Sequence, residues 1–172
     1  PVDRIGIIGE FTPSTIPNSV LTNISVGLTQ SLDDDSVMPG LATNWEATQS
    51  GKLYVFHLRR DATWHDGTDV TANDVNYNIK NVLFTVLDKY TLLAKIPSAY
   101  SPFPILVSRP IVKSGLIGMG TYKVDSIRLK GDAIQFLKLI AANKTNNTVK
   151  EYRFYKTEAA AILAFKLGEI DQ

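Results

Sequence analysis

At 172 residues, 44% of them hydrophobic and 20% charged, the chain can bury about 70% of its unfolded surface, and its length predicts one domain over residues 1–172. A formal net charge of +1 excludes the strongly basic profile of a nucleic-acid-binding domain, and no run reaches the ~20 apolar residues of a membrane-spanning helix. The absence of cysteine removes disulfides, thiol catalysis and thiolate metal sites. Charge is unevenly spread: residues 1–112 hold 8 Lys+Arg against 11 Asp+Glu (−3), and residues 113–172 hold 10 against 6 (+4). A handful of unpaired charges reads as ordinary solvated surface. The start, Pro1-Val2-Asp3, lacks an initiator Met and a signal-type segment, and the end follows directly on a helix signal. The chain therefore reads as a processed or excised piece of a longer protein.

In chain order, Arg4-Ile5-Gly6-Ile7-Ile8-Gly9 is a short apolar run bounded by glycine and predicts a buried strand. Asn18 is placed to cap a helix carrying Val20, Leu21, Ile24 and Leu28 on one face, and Asp33-Asp34-Asp35-Ser36 reads as a solvated turn. Strands are expected over 44–48 and 53–59, joined through Gln49-Ser50-Gly51-Lys52. Thr71 and Asp74 have capping-box spacing, and Val75, Ile79 and Val82 would continue as one helical face. All eight prolines fall at or before Pro110, four of them within 97–110, which predicts an irregular connector there. Residues 122–129 and 133–141 flank Lys130-Gly131-Asp132, a hairpin by turn chemistry. A strand over 151–155 precedes a helix capped by Thr157 and closed by Gly168, with Ile162, Leu163, Phe165 and Leu167 expected to pack inward. Without regular βαβ alternation, the class is α+β, a mixed β-sheet with flanking helices.

Tests for chemistry come out negative. The only histidines, His57 and His65, have neither HExxH nor His-x-His spacing, so no metal ligands are assigned. Gly6, Gly9, Gly115, Gly118 and Gly120 match neither GxGxxG nor a phosphate-binding P-loop, and no serine sits in a GxSxG elbow. The aspartates at 33–35 lack EF-hand spacing. Asn23, Asn143 and Asn146 head N-x-S/T sequons, which matter only in a source that glycosylates secreted proteins. No enzyme constellation and no cofactor site emerges; a hydrolase built on His65-Asp66 would lack a positioned nucleophile.

The order of local motifs carries more. Pro39-Gly40-Leu41-Ala42-Thr43-Asn44-Trp45-Glu46 precedes Tyr54-Val55-Phe56-His57-Leu58-Arg59, then Trp64-His65-Asp66-Gly67-Thr68 and Thr71-Ala72-Asn73-Asp74-Val75. Gly118-Met119-Gly120-Thr121-Tyr122-Lys123-Val124 and Gly168-Glu169-Ile170-Asp171 follow. From Ile5 to Asp171 this succession resembles the bacterial extracellular solute-binding proteins of family 5, the peptide- and nickel-type binding proteins of ABC importers. Thr121 stands where the family usually has Pro, residues 82–101 are short where many members carry a subdomain, and the common Tyr-Trp after Asn143 is absent.

The resemblance implies most of lobe I of a type II periplasmic-binding-protein-like fold, with lobe II outside this chain. It implies a non-enzymatic role outside the cytoplasmic membrane: two lobes closing on a small peptide or similar solute, then presentation to a membrane permease. The same lobe in a receptor or regulator is the alternative. Within it the Trp, Tyr and Phe of the first motifs are core, and Gly-Glu-Ile-Asp lies near the crossing to the second lobe. Ligand-binding groups are expected on loops at strand ends. These are Glu10, Phe11 and Thr12, an aromatic with polar neighbours, and Ser108 and Arg109, whose guanidinium could meet a carboxylate.

Overall fold

A computed structural model describes residues 1–172. In chain order its elements are β1 (Val2–Ile8), α1 (Asn18–Ile24), β2 (Thr29–Ser31), β3 (Val37–Pro39), β4 (Ala42–Thr48) and β5 (Leu53–Leu58). A 3-10 turn (Ala72–Asp74), β6 (Leu83–Asp88), β7 (Thr91–Lys95), α2 (Phe103–Leu106), β8 (Tyr122–Lys130), β9 (Ala133–Ala141), β10 (Val149–Tyr155) and α3 (Glu158–Lys166) follow. The chain divides into two compact units, one of Pro1–Ser25 with Val112–Gln172, the other of Val26–Ile111.

The first unit is built on a mixed sheet in the order β1-β10-β9-β8, with β1 parallel to β10 from Val2↔Val149 to Ile8↔Tyr155 and the other pairs antiparallel. The expected β8–β9 hairpin forms around Gly131, whose φ of +64° is what the tight turn demands. Val20, Leu21 and Ile24 of α1 pack on Ile134, Leu137, Leu139, Tyr152 and Phe154. Each fully buried leucine there contributes roughly 1.5–3 kcal/mol of transfer free energy.

Helix α1 departs from expectation at both ends. It begins at Asn18 with Pro17 in the capping position, so Asn18 is not the cap. It stops at Ile24, so Leu28 lies outside it, because the chain around Gly118 and Gly120 packs directly on the last turn. The Gly120 amide donates to the Ile24 carbonyl at 2.8 Å, and a Cβ on Gly118 would stand 2.0 Å from that oxygen.

Helix α3 forms as expected, with the Thr157 hydroxyl accepting from the Ala160 amide and Gly168 leaving at φ +72°. Its packing is inverted, however. Ala161 and Ala164 are the buried residues, whereas Ile162, Leu163, Phe165 and Leu167 are 47%, 57%, 55% and 67% exposed. The helix contacts β1 and β10 through its small residues, which let the two backbones approach closely. Beyond it, Ile170 is buried against Gly6, and Arg4 reaches both the Gly168 carbonyl (3.0 Å) and the Asp171 carboxylate (3.2 Å). The Asp171 amide donates to the Arg4 carbonyl and the Gly6 amide to the Gln172 carbonyl, each at 2.7 Å, so the segment after α3 runs along the edge of β1.

The second unit carries an antiparallel sheet in the order β4-β5-β7-β6 and a two-stranded ribbon, β2-β3, around the aspartate turn. In β5, Tyr54, Phe56 and Leu58 are buried and alternate with half-buried Val55 and His57, as predicted. Tyr54 and Phe56 meet Phe103 of α2 at ring-centroid distances of 4.9 and 6.4 Å. The Trp64-His65-Asp66-Gly67-Thr68 turn seats a buried Trp64. The Trp64 amide donates to the Thr68 carbonyl, and its indole donates to Asp74, which also accepts from the Thr71 amide at 2.8 Å.

The helical face expected from Val75, Ile79 and Val82 is not formed. Only the 3-10 turn appears, followed by irregular backbone and the β6–β7 hairpin. Three asparagines, 76, 78 and 81, compete with helical hydrogen bonding, Asn81 takes φ +63°, and the three apolar residues are all β-branched. Residues 97–110 are irregular as expected except for α2, a single turn that tolerates Pro102 and Pro104 because they sit at its start.

Candidate functional site

The candidate ligand-binding residues fall on two loops, one in each unit. The first leaves β1. The Gly9 amide donates to the Tyr155 carbonyl at 2.8 Å, and the Phe11 carbonyl accepts from the Ile134 amide at 2.7 Å. The loop is therefore tied to β10 and to the start of β9. The Phe11 ring is half-buried, 6.1 Å from Phe154 in an edge-to-face pair, and covers Gly9 closely enough that a Cβ there would lie 2.7 Å from it. Thr12 is held by its own turn: its amide donates to the Thr15 hydroxyl at 2.9 Å, and its hydroxyl shares a 2.9 Å hydrogen bond with Ser14. The exposed Glu10 carboxylate lies 3.4 Å from Lys156. This leaves a hydroxyl cluster and a carboxylate at the surface, with the aromatic ring serving chiefly as their support.

The second loop carries Ser108 and Arg109. The Ser108 hydroxyl turns back to the Ile105 carbonyl at 2.7 Å, so its proton is committed within the loop. Arg109 is exposed, with its guanidinium on the solvent side and its carbonyl turned inward. That carbonyl accepts from the Tyr77 hydroxyl at 2.6 Å, the Val107 carbonyl lies 2.7 Å from the same hydroxyl, and the Leu28 amide donates to it at 3.2 Å. Burial pushes the Tyr77 hydroxyl well above its usual range, so it is a neutral donor at every physiological pH.

Two glycines complete the mount. A Cβ on Gly27 would come within 2.6 Å of the Ser108 carbonyl carbon and oxygen, and one on Gly40 within 2.5 Å of the Gly27 carbonyl oxygen. The Ile111 amide donates to the Val26 carbonyl at 2.9 Å. Arg109 is thus a free cationic head on a backbone fixed from three directions. Tyr77 was not among the expected site residues. Its one signal in the sequence is a lone aromatic in the polar stretch Asn76-Tyr77-Asn78.

Residues 36–172 match the family model described as bacterial extracellular solute-binding proteins, family 5 Middle. The chain is 41% identical over 64 residues to the periplasmic oligopeptide-binding protein OppA of Escherichia coli, covering 37% of this chain and 12% of that protein. It is 38% identical over 63 residues to the dipeptide-binding protein DppE of Bacillus subtilis, covering 37% and 12%. Among solved structures, MoaA from A. tumefacien R10 in complex with mannopinic acid superposes with a TM-score of 0.78 at 22% identity. That match covers 99% of this chain and 44% of the other. The oligopeptide-binding protein AppA from Bacillus subtilis in complex with a nonapeptide gives 0.77 at 18%, covering 99% and 43%. The fold is therefore that of the type II periplasmic binding proteins, and the chain spans less than half the length of these relatives.

Proposed function

The chain belongs to the bacterial extracellular solute-binding proteins of family 5, and from that premise we propose that it supplies most of lobe I of the binding component of an ABC importer. The ligand is a small peptide or peptide-like solute. It is held between this lobe and a second one outside the chain, and the closed form is handed to a membrane permease. The protein works outside the cytoplasmic membrane and performs no covalent chemistry. The observation that carries this reading is the family match over residues 36–172, joined to a superposition on ligand-bound relatives that covers 99% of the chain.

In this reading Arg109 of the second unit offers a partner for a ligand carboxylate, and on the first unit Glu10 and the Thr12 hydroxyl cluster are, separately, candidate contacts for polar groups. Charge-assisted pairing of a guanidinium with a carboxylate is the strongest single contact such a surface offers. Half a site binds weakly. An intact protein at ~1 μM gains about −8 kcal/mol, and an even split leaves about −4, or millimolar affinity.

The test is a thermal-shift screen with pooled short peptides on this chain beside the full-length gene product. Ligand at ~100 times its dissociation constant stabilises the native state by about 2.7 kcal/mol. A shift in the longer protein alone supports a two-lobed peptide binder, and a shift in neither removes the peptide assignment.

A further inference from the structure

A groove of about 440 Å³ lies where the loop over residues 142–148 joins β9 to β10, walled by that loop and by Lys123, Ile140, Ala141 and Val149. Its lining contains two lysines, Lys123 and Lys144, three asparagines and no carboxylate. The contrast with neighbouring cations is sharp. Lys138 is paired with Asp125 at 3.1 Å and Lys150 with Asp3 at 3.7 Å, so each of these two strand lysines has a carboxylate beside it.

The asparagines are turned to match. The Asn143 side-chain oxygen accepts from the Thr145 amide and that of Asn146 from the Thr148 amide, each at 3.0 Å. Each side-chain oxygen is engaged within the loop, both carboxamides retain their N–H donors for a ligand, and Asn147 adds another amide. The loop is also mounted firmly. The Ala142 amide donates to the Thr121 carbonyl at 2.8 Å, and the Thr148 hydroxyl bonds the Tyr122 hydroxyl at 2.9 Å.

We propose that this groove is an anion site for a phosphoryl group. Two ammonium groups balance a dianion, and the asparagine N–H donors suit a group with three peripheral oxygens. The volume falls within the range of small-ligand pockets, so it accommodates a small phosphomonoester as well as free phosphate. The site lies on the first unit alone and does not depend on the solute-binding reading.

Inorganic phosphate is titrated into the 15N-labelled 172-residue chain at constant ionic strength, following the asparagine side-chain amides by NMR. A parallel arm uses vesicles bearing a phosphomonoester headgroup against neutral vesicles. Saturable shifts at Asn143, Asn146 and Asn147 are expected, about fivefold weaker in Lys144→Gln and weaker again when Lys123→Gln is added. Lys144 is exposed, so its variant folds; an unchanged thermal midpoint verifies this. Binding to free phosphate supports a soluble ligand, and binding only to the phosphate-bearing vesicles supports a headgroup. Binding to neither, or equal affinity in the lysine variants, overturns the proposal.

Discussion

Replacing Tyr77 by phenylalanine isolates the hydroxyl that mounts the Arg109 loop. The ring stays, so packing against Phe84 at 6.0 Å between centroids is retained and the cost is that of polar groups alone. Three contacts are lost, but they are unequal. The Val107 carbonyl keeps the Thr29 amide at 3.3 Å, and the Arg109 carbonyl belongs to an exposed residue that water can reach. The Leu28 amide has no such relief, since Leu28 is fully buried. Stranding one buried donor costs about 1–3 kcal/mol, and losing one shared donation to the carbonyls adds about 0.5–1. The expected destabilisation is therefore about 1.5–4 kcal/mol, or roughly 3–16 °C in melting temperature for a chain of this size. Urea unfolding measures the energy, and amide exchange locates it. Leu28 should exchange much faster, while amides of the first unit, such as Ile134, keep their protection. A loss below about 0.5 kcal/mol with Leu28 exchange unchanged would refute the assignment of Tyr77 as the anchor of this loop.

Further substitutions probe both units. Gly118→Ala drives a Cβ into the Ile24 carbonyl and should abolish folding, whereas Gly67→Ala meets open space and costs only the roughly 1 kcal/mol of its φ of +86°, as circular dichroism melts would show. Leu163→Gln with Phe165→Gln should leave stability within about 0.5 kcal/mol, while Ala164→Leu overpacks the α3 interface and costs about 1–3 kcal/mol. The reverse order in urea unfolding would restore the face expected from hydrophobicity. Burial pushes Tyr152 up to about 12 from 10.0, so the unfolded chain loses its proton first. Stability is then fully present below pH ~10 and falls by about 1.4 kcal/mol per pH unit until the folded group ionises; Tyr152→Phe should flatten that decline in alkaline titrations. The exposed Arg4–Asp171 pair should give a coupling of only about 0.2–1 kcal/mol in a double-mutant cycle, yet Arg4→Ala should speed proteolysis after Gly168.

How much of this was legible in the sequence depended on what each residue had to satisfy locally. Turns were readable because Lys130-Gly131-Asp132 and Asp66-Gly67 state their backbone requirements in their own side chains. Strand β5 was readable because Tyr54, Phe56 and Leu58 alternate against a single covered face. Helix α3 was readable as a helix but not as an orientation. Residues 159–165 are apolar without interruption, so periodicity names no face, and the choice falls to how closely alanine lets the backbone approach β1 and β10. The stretch after Asp74 misled because Val75, Ile79 and Val82 keep helical spacing while the asparagines between them oppose the helix. The candidate site was readable only as loops at strand ends. The mount of Arg109 depends on contacts across about 30 to 85 residues of chain, from Tyr77, Gly27 and Val26, which no local pattern encodes.

The parallel pairing of β1 with β10 sets an order of manufacture. Strand β1 finds this partner only when Val149 has been made, whereas every strand pair of Val26–Ile111 closes within that contiguous stretch. At ~5–20 residues per second the interval is about 7–30 s, far longer than a hairpin needs to form. The Val26–Ile111 unit can therefore close while β1 still awaits β10. During that interval Ile5 and Ile7 lack the strand that later pairs with them.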